Sequence, residues 1–198
     1  MRTWSAMEPP DASLAERALA GSDDAFGQLV TRHQNEIYAY VFRMIGDAHA
    51  ACDIVQTVFV RAYRSLSQLR DPGKIRPWLF AIAVNQARNW LSRRRPVPAS
   101  MERADDDDPS AGQRVPDPSL WASPDAVYAA AELATMIVAA INSLAATYRE
   151  VAVLRFQHQM PVGQIATALG LGFSATESRV RRAKALLRAK LATMLSDT

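Results

Sequence analysis

The chain of 198 residues contains one cysteine, Cys52, so no internal disulfide can form, and a lone thiol fits a reducing cytosol. No second thiol stands near it, and the three histidines (His33, His49 and His158) lack ligand-like spacing. No metal site and no cofactor are expected from such a pattern. Long apolar runs are missing as well. Every hydrophobic stretch is broken by charge well short of the roughly 20 residues a spanning helix needs, so no membrane insertion is expected. The N-terminus, MRTWSAMEPPDASLAERALA, has no basic region leading into an apolar stretch, and no secretory signal is expected. Catalytic groupings are absent too. There is no Gly-rich phosphate loop, no pair of carboxylates outside one acidic run, and no Ser or Cys in a nucleophile setting, which argues against an enzyme. No segment alternates with period two, so no strands are predicted.

What the sequence does have is helical periodicity and an uneven distribution of charge. Residues 1–95 carry 13 Lys and Arg against 9 Asp and Glu, a net of +4. Residues 96–131 carry 2 against 7, a net of −5, and residues 132–198 carry 8 against 4, a net of +4. Two basic blocks flanking an acidic one suit a polyanionic partner touched at two places. The acidic block begins PVPASMERADDDDPSAGQRVPDPS, rich in Pro, Asp and Ser and without a period. It cannot bury enough apolar surface to offset its ordering entropy, and residues 96–127 read as a flexible linker. The predicted architecture is all-α. Residues 1–21 form an N-terminal extension, 22–95 a first small helical domain, and 128–195 a second.

In the first domain, Ala25–Ile45 places Phe26, Leu29, Val30, His33, Ile37, Tyr40, Val41 and Met44 on one face. Asp47 is a suitable N-cap for the next helix, which bears Ile54, Val55, Val58, Phe59, Ala62, Tyr63 and Leu66. A turn follows at Asp71-Pro72-Gly73. A last helix, about Pro77 to Arg95, turns Leu79, Ile82, Ala83, Ala87 and Leu91 inward. Around that turn Trp78, Phe80 and Trp90 alternate with Arg70, Lys74, Arg76, Asn85 and Arg88. Aromatics interleaved with cations can hold unstacked bases beside a phosphate backbone, although Trp78 and Phe80 also suit a core.

The second domain reads as four helices: about Val127–Leu144, Thr147–Gln157, one opening near Pro161, and Ala175–Leu195. Gly170-Leu171-Gly172 joins the last two. A short helix, a Gly-containing turn and a strongly basic helix form a helix-turn-helix pattern. The last helix carries Arg179, Arg181, Arg182, Lys184, Arg188 and Lys190 opposite Val180, Ala183, Leu187 and Leu191. Such a helix can enter a major groove, its first turns at base edges and its later cations at phosphates. Ser174-Ala175-Thr176-Glu177 has the form of a capping box, with Ser174 as N-cap and Glu177 reaching back to its N–H. The competing use of the same carboxylate is to accept from a cytosine amino group.

These residues match a family. DIVQTVFVRAY (Asp53–Tyr63) and PWLFAIAVNQARNWLSRRR (Pro77–Arg95) resemble region 2 of the extracytoplasmic-function (ECF) sigma factors of bacterial RNA polymerase. LAATYREVAVLRFQHQMPVGQIATALGL followed by SRVRRAKALLRAKL resembles their region 4. The resemblance implies a region 2 helical bundle and a region 4 helix-turn-helix domain, acting as a sigma factor that binds core polymerase and directs initiation. It implies docking of Asp53, Gln56 and Arg61 on the clamp coiled coil of the β′ subunit, and of region 4 on the β flap. It implies capture of the −10 strand by Leu69, Arg70, Lys74, Arg76, Asn85 and Arg88. Duplex reading at −35 falls to Ser178, Arg179, Arg181, Arg182 and Lys184. An anti-sigma partner is implied as well, together with a cytoplasmic location that becomes nucleoid-associated when the factor is active. The chain departs from the family pattern at Gly172-Phe173-Ser174-Ala175, where Pro-x-Gly-Thr is frequent. It departs also at Glu177, where a basic residue is common, and at Ala51 and Cys52, where acidic residues are frequent.

Overall fold

The computed structural model describes residues 9–94 and 134–196; among these every regular element is helical and no strand occurs. The first half comprises α1 (Asp11–Leu19), α2 (Asp23–Ile45), α3 (Ala48–Arg64) and α4 (Ile75–Arg94), with two single 3₁₀ turns between α3 and α4. The second comprises α5 (residues 134–142), α6 (Ala146–Ala152) running into one π turn (Val153–Gln157), α7 (Val162–Leu169) and α8 (Phe173–Ser196). The expected linker and the first seven residues of the expected Val127–Leu144 helix lie outside the described residues.

Local chemistry sets the boundaries of the first half. Ser22 Oγ accepts from the Ala25 N–H at 3.3 Å and Asp47 Oδ1 from the Ala50 N–H at 3.0 Å, each satisfying one orphan donor of a first turn. Gly46 ends α2 in the left-handed region (φ 74°), where a side chain would be strained. Asp71 Oδ1 accepts from the Gly73 N–H at 3.0 Å, fixing the turn into α4.

Helices α2, α3 and α4 form a three-helix bundle. The apolar face predicted for α2 is the buried one, with Ala25 added and Val30 at its margin. Residues 11–19, placed with the N-terminal extension by sequence, form α1, which buries Leu14, Ala15 and Ala18 against α2. Trp78 and Trp90 are half-buried against the core, whereas Phe80 is fully inside it.

In the second half α6 and α7 pack on α8. Gly170 (φ 66°) closes α7, and the Leu171 N–H bonds to the Ala166 carbonyl at 2.9 Å. The chain then enters α8 at Phe173, two residues before the predicted start. Ser174 therefore lies inside the first turn and is not the N-cap. The buried Thr176 directs both its N–H and its hydroxyl to the Gly172 carbonyl, each at 3.0 Å. The predicted capping box does not form, because the helix is already under way at Ser174.

The two halves are packed together. Helix α4 lies along α7, α2 meets α6 and the π turn, and the buried apolar residues of both halves form a contiguous cluster. At the seam, the His158 ring sits 5.0 Å from Phe80 and 6.3 Å from Tyr40, edge-on to both. The π turn places it there: the His158 N–H bonds to Val153 O, and Gln159 takes a left-handed φ of 53°.

Candidate nucleic-acid interface

Three surfaces hold the residues singled out by sequence. The first is the exposed face of α3, where Asp53, Gln56, Thr57, Val60, Arg61 and Arg64 line a shallow depression. Val60 is half-exposed in its middle. Polar groups around an exposed aliphatic centre suit a protein partner better than a small molecule. The α3 core residues Ala51, Ile54, Val58, Phe59 and Ala62 face the opposite way, so helical spacing alone brings Asp53, Gln56 and Arg61 together.

The second surface centres on the turn before α4. Arg70 and Asn85 are exposed, and exposed Lys74 pairs with Asp71 at 3.2 Å. Leu69 is buried, 6% exposed, so its side chain belongs to the core and not to this surface. Arg76 and Arg88 are held in contacts of another kind. Arg76 forks onto Glu36, with Nη2 to Oε2 at 2.9 Å, and the same nitrogen donates to the His158 carbonyl of the other half at 2.9 Å. Arg88 makes a bidentate pair with Glu150, Nε to Oε1 at 2.7 Å and Nη2 to Oε2 at 2.6 Å. Glu150 is 6% exposed, and its carboxylate holds the Arg88 guanidinium more firmly protonated than usual.

Behind Arg76 runs a chain of polar contacts that no sequence pattern foretold. The buried His33 ring has Nδ1 2.5 Å from Glu36 Oε1 and Nε2 3.0 Å from Asp11 Oδ2. Asp11 also takes Arg32 at 2.6 Å, which ties α1 to α2. Burial works to raise the Glu36 pKa, but the hydrogen bonds from His33 and Arg76 outweigh it and hold the carboxyl at about 2. Burial pushes His158 the other way for its type, down to about 4, so its ring is neutral at the seam. Burial, with the charge of Glu150 nearby, pushes the Tyr40 phenol well above its ordinary range.

The third surface is α8. Thr176, Ala183 and Leu187 are buried, while Ser174, Glu177, Ser178, Arg181, Arg182 and Lys184 are exposed and Arg179 is at the margin. None of Arg179, Arg181, Arg182 and Lys184 has a hydrogen bond or ion pair among the described residues. The exposed face of a basic helix, set off by a Gly turn from a shorter one, has the geometry of a major-groove reader. Among the described residues no cluster of side chains could hold a metal, and no helix is long and apolar enough to cross a membrane.

Sequence reading missed Glu150 and His158 as partners of the first half. Glu150 left one trace, a carboxylate at an inward position within TYREVAVLRF. Nothing in the sequence named Arg88 as its mate.

Comparison with known proteins agrees with this layout. Residues 29–97 match the model for Sigma-70 region 2, and residues 134–187 that for Sigma-70, region 4. The chain is 38% identical to the RNA polymerase sigma factor NccH of Alcaligenes xylosoxydans xylosoxydans, over 91% of this chain and 94% of that one. It is 30% identical to the RNA polymerase sigma-H factor of Pseudomonas aeruginosa, over 94% and 96%. Against the probable RNA polymerase sigma factor RfaY of Xanthomonas campestris it is 34% identical but spans 42% of that longer chain. Among solved structures, CnrH in complex with the cytosolic domain of CnrY is similar with a TM-score of 0.62 and 32% identity, covering 94% of this chain and 97% of that one. Two matched sigma regions in order, with near full-length similarity to named sigma factors, place the chain in a family defined by promoter-directed initiation of transcription: it belongs to the ECF sigma factors.

Proposed function

We propose that the chain engages core polymerase through the α3 face of Asp53, Gln56 and Arg61, with the second half resting on the β flap. Helix α8 reads the −35 duplex with Ser178, Arg179, Arg181, Arg182 and Lys184. Arg70, Lys74, Asn85, Arg76 and Arg88 receive the −10 strand. The observation that carries this reading is the α8 face, with four cations outside any pair among the described residues, in a chain of this family. The factor supplies recognition and strand capture, with base stacking worth about 1–3 kcal/mol per base, and leaves catalysis to the polymerase. It works in the cytoplasm, at the nucleoid when engaged.

Strand capture by Arg76 and Arg88 requires the two halves to part, since both guanidiniums are bonded across the seam. The promoter geometry demands the same. Elements two and a half helical turns apart lie roughly 85–90 Å from one another at ~34–36 Å per turn. A packed pair of small domains does not bridge that span. The closed arrangement suits storage with a partner, and the similar CnrH has been solved with the cytosolic domain of CnrY. An anti-sigma protein that grips both halves of this chain fits the same arrangement.

The decisive experiment is run-off transcription with bacterial core polymerase, this protein and a genomic promoter library. Discrete starts that depend on the protein are expected. Tight duplex binding without core would replace this reading with a stand-alone helix-turn-helix regulator, and core binding without starts would make the chain a decoy.

A further inference from the structure

Glu177 is the single carboxylate of α8, set among six Lys and Arg between Phe173 and Ser196. The sequence offered it a structural task as the second half of a capping box. That task does not exist here, because α8 begins at Phe173 and its first-turn bonds go to Gly172. Glu177 is exposed and makes no hydrogen bond or ion pair among the described residues, although Arg181 stands one turn further along. It shares one outward stripe with Ser174, Ser178 and Arg181, spaced i, i+3, i+4 and i+7, opposite the buried Thr176, Ala183 and Leu187. A carboxylate on that stripe is held where a groove-bound helix meets base edges.

We propose that Glu177 selects a cytosine in the −35 duplex by accepting a hydrogen bond from its N4 amino group. The inference rests on α8 being the −35 reader. The chemistry is restrictive. An ionised carboxylate only accepts, and in the major groove guanine N7 and O6 and thymine O4 are also acceptors, whereas cytosine presents its N4 donor. Adenine presents a donor beside an acceptor, which one carboxylate matches less well than an amide does. Glu177 also repels phosphates and so weakens binding to DNA in general. A residue that penalises most sequences and is compensated by one base confers discrimination even with little net affinity.

The test is run-off transcription by the reconstituted holoenzyme from templates with a fully randomised −35 element, comparing the wild-type chain with E177A and E177Q. With wild type, one position should favour cytosine by about 5- to 150-fold, the equivalent of ~1–3 kcal/mol. E177A should flatten that position alone. E177Q should move the preference to adenine, whose N6 and N7 a side-chain amide can engage together. An unchanged cytosine preference in E177A would overturn the inference, as would a uniform gain on all sequences with no change in the base profile. Absence of starts with wild type would instead remove the sigma reading and take this inference with it. Glu177 is exposed and has no partner among the described residues, and an unchanged circular dichroism melt would show that both variants fold.

Discussion

The two basic surfaces keep their arginines in opposite conditions. On α8, Arg179, Arg181, Arg182 and Lys184 have no partner among the described residues, whereas Arg76 and Arg88 of α4 are each committed to a carboxylate and a seam. The difference teaches that a basic residue in a binding motif is available to a partner only while nothing nearer satisfies it. Helix α8 can meet DNA as it stands. On the proposed reading, helix α4 has first to release Glu150 and the His158 carbonyl before Arg88 and Arg76 can receive a strand.

The strongest way to break the comparison is to disarm the free surface. The double variant R179A/R182A should lose about a hundredfold in run-off transcription, at ~1–3 kcal/mol per arginine. Its affinity for core polymerase, read by fluorescence anisotropy, should hold. Equal loss of both would mean that α8 serves the polymerase and not the duplex.

Acid tests the committed surface next. The folded pKa of His158 lies below that of a free imidazole, so the closed form binds fewer protons than an opened one. Its contribution is complete above about pH 6.5 and is lost as pH falls toward 4, by up to about 3 kcal/mol. Glu36 contributes in a separate window: its depressed carboxyl stabilises above about pH 4.5 and loses that as pH falls toward 2. Denaturant melts between pH 7 and 5 should therefore show the His158 effect without that of Glu36, and H158F should reduce the slope. A wild-type slope that survives in H158F would assign the titration elsewhere.

A smaller effect is expected from R88A. It leaves Glu150 buried without its partner and should cost about 1–3 kcal/mol of stability. E150Q should cost less and make Arg88 more available to a labelled −10 oligonucleotide bound with core polymerase. If R88A leaves the melting midpoint where it was, the pair is not holding the seam. The smallest expected effect is S174A. A true N-cap loses about 1 kcal/mol on truncation to Ala, but with α8 starting at Phe173 the change should stay within a few tenths in a thermal melt.

How much of this was legible depended on range. Asp47 announced α3 because a cap acts over three residues, and the α2 face from Phe26 to Met44 followed from period alone. The exposure of Asp53, Gln56 and Arg61 followed from the same geometry. The capping box misled because S-x-x-E specifies a box only where the helix starts at the serine, and Gly172 started it earlier. The resemblance puts Leu69 among the −10 contacts, but its side chain is buried and closes the core. Helix α1 escaped notice because its nine residues are shorter than the window of about 11–18 over which a helical period is read. The Arg88–Glu150 and Arg76–Glu36 pairs join residues 62 and 40 positions apart, a range at which pattern carries no information.

The contiguous core has a consequence for the chain as a polymer. If apolar burial holds the halves together, the covalent thread between them is dispensable for the closed form. A protein nicked at Arg103 or Arg114 should elute as one particle in size-exclusion chromatography, like a complementing pair of fragments. The same nicked particle, once opened, would lose its only direct link, and each half would depend on its own contacts with polymerase and promoter. The linker is then a tether whose worth is an effective concentration, unused in the closed molecule and needed only in the open one.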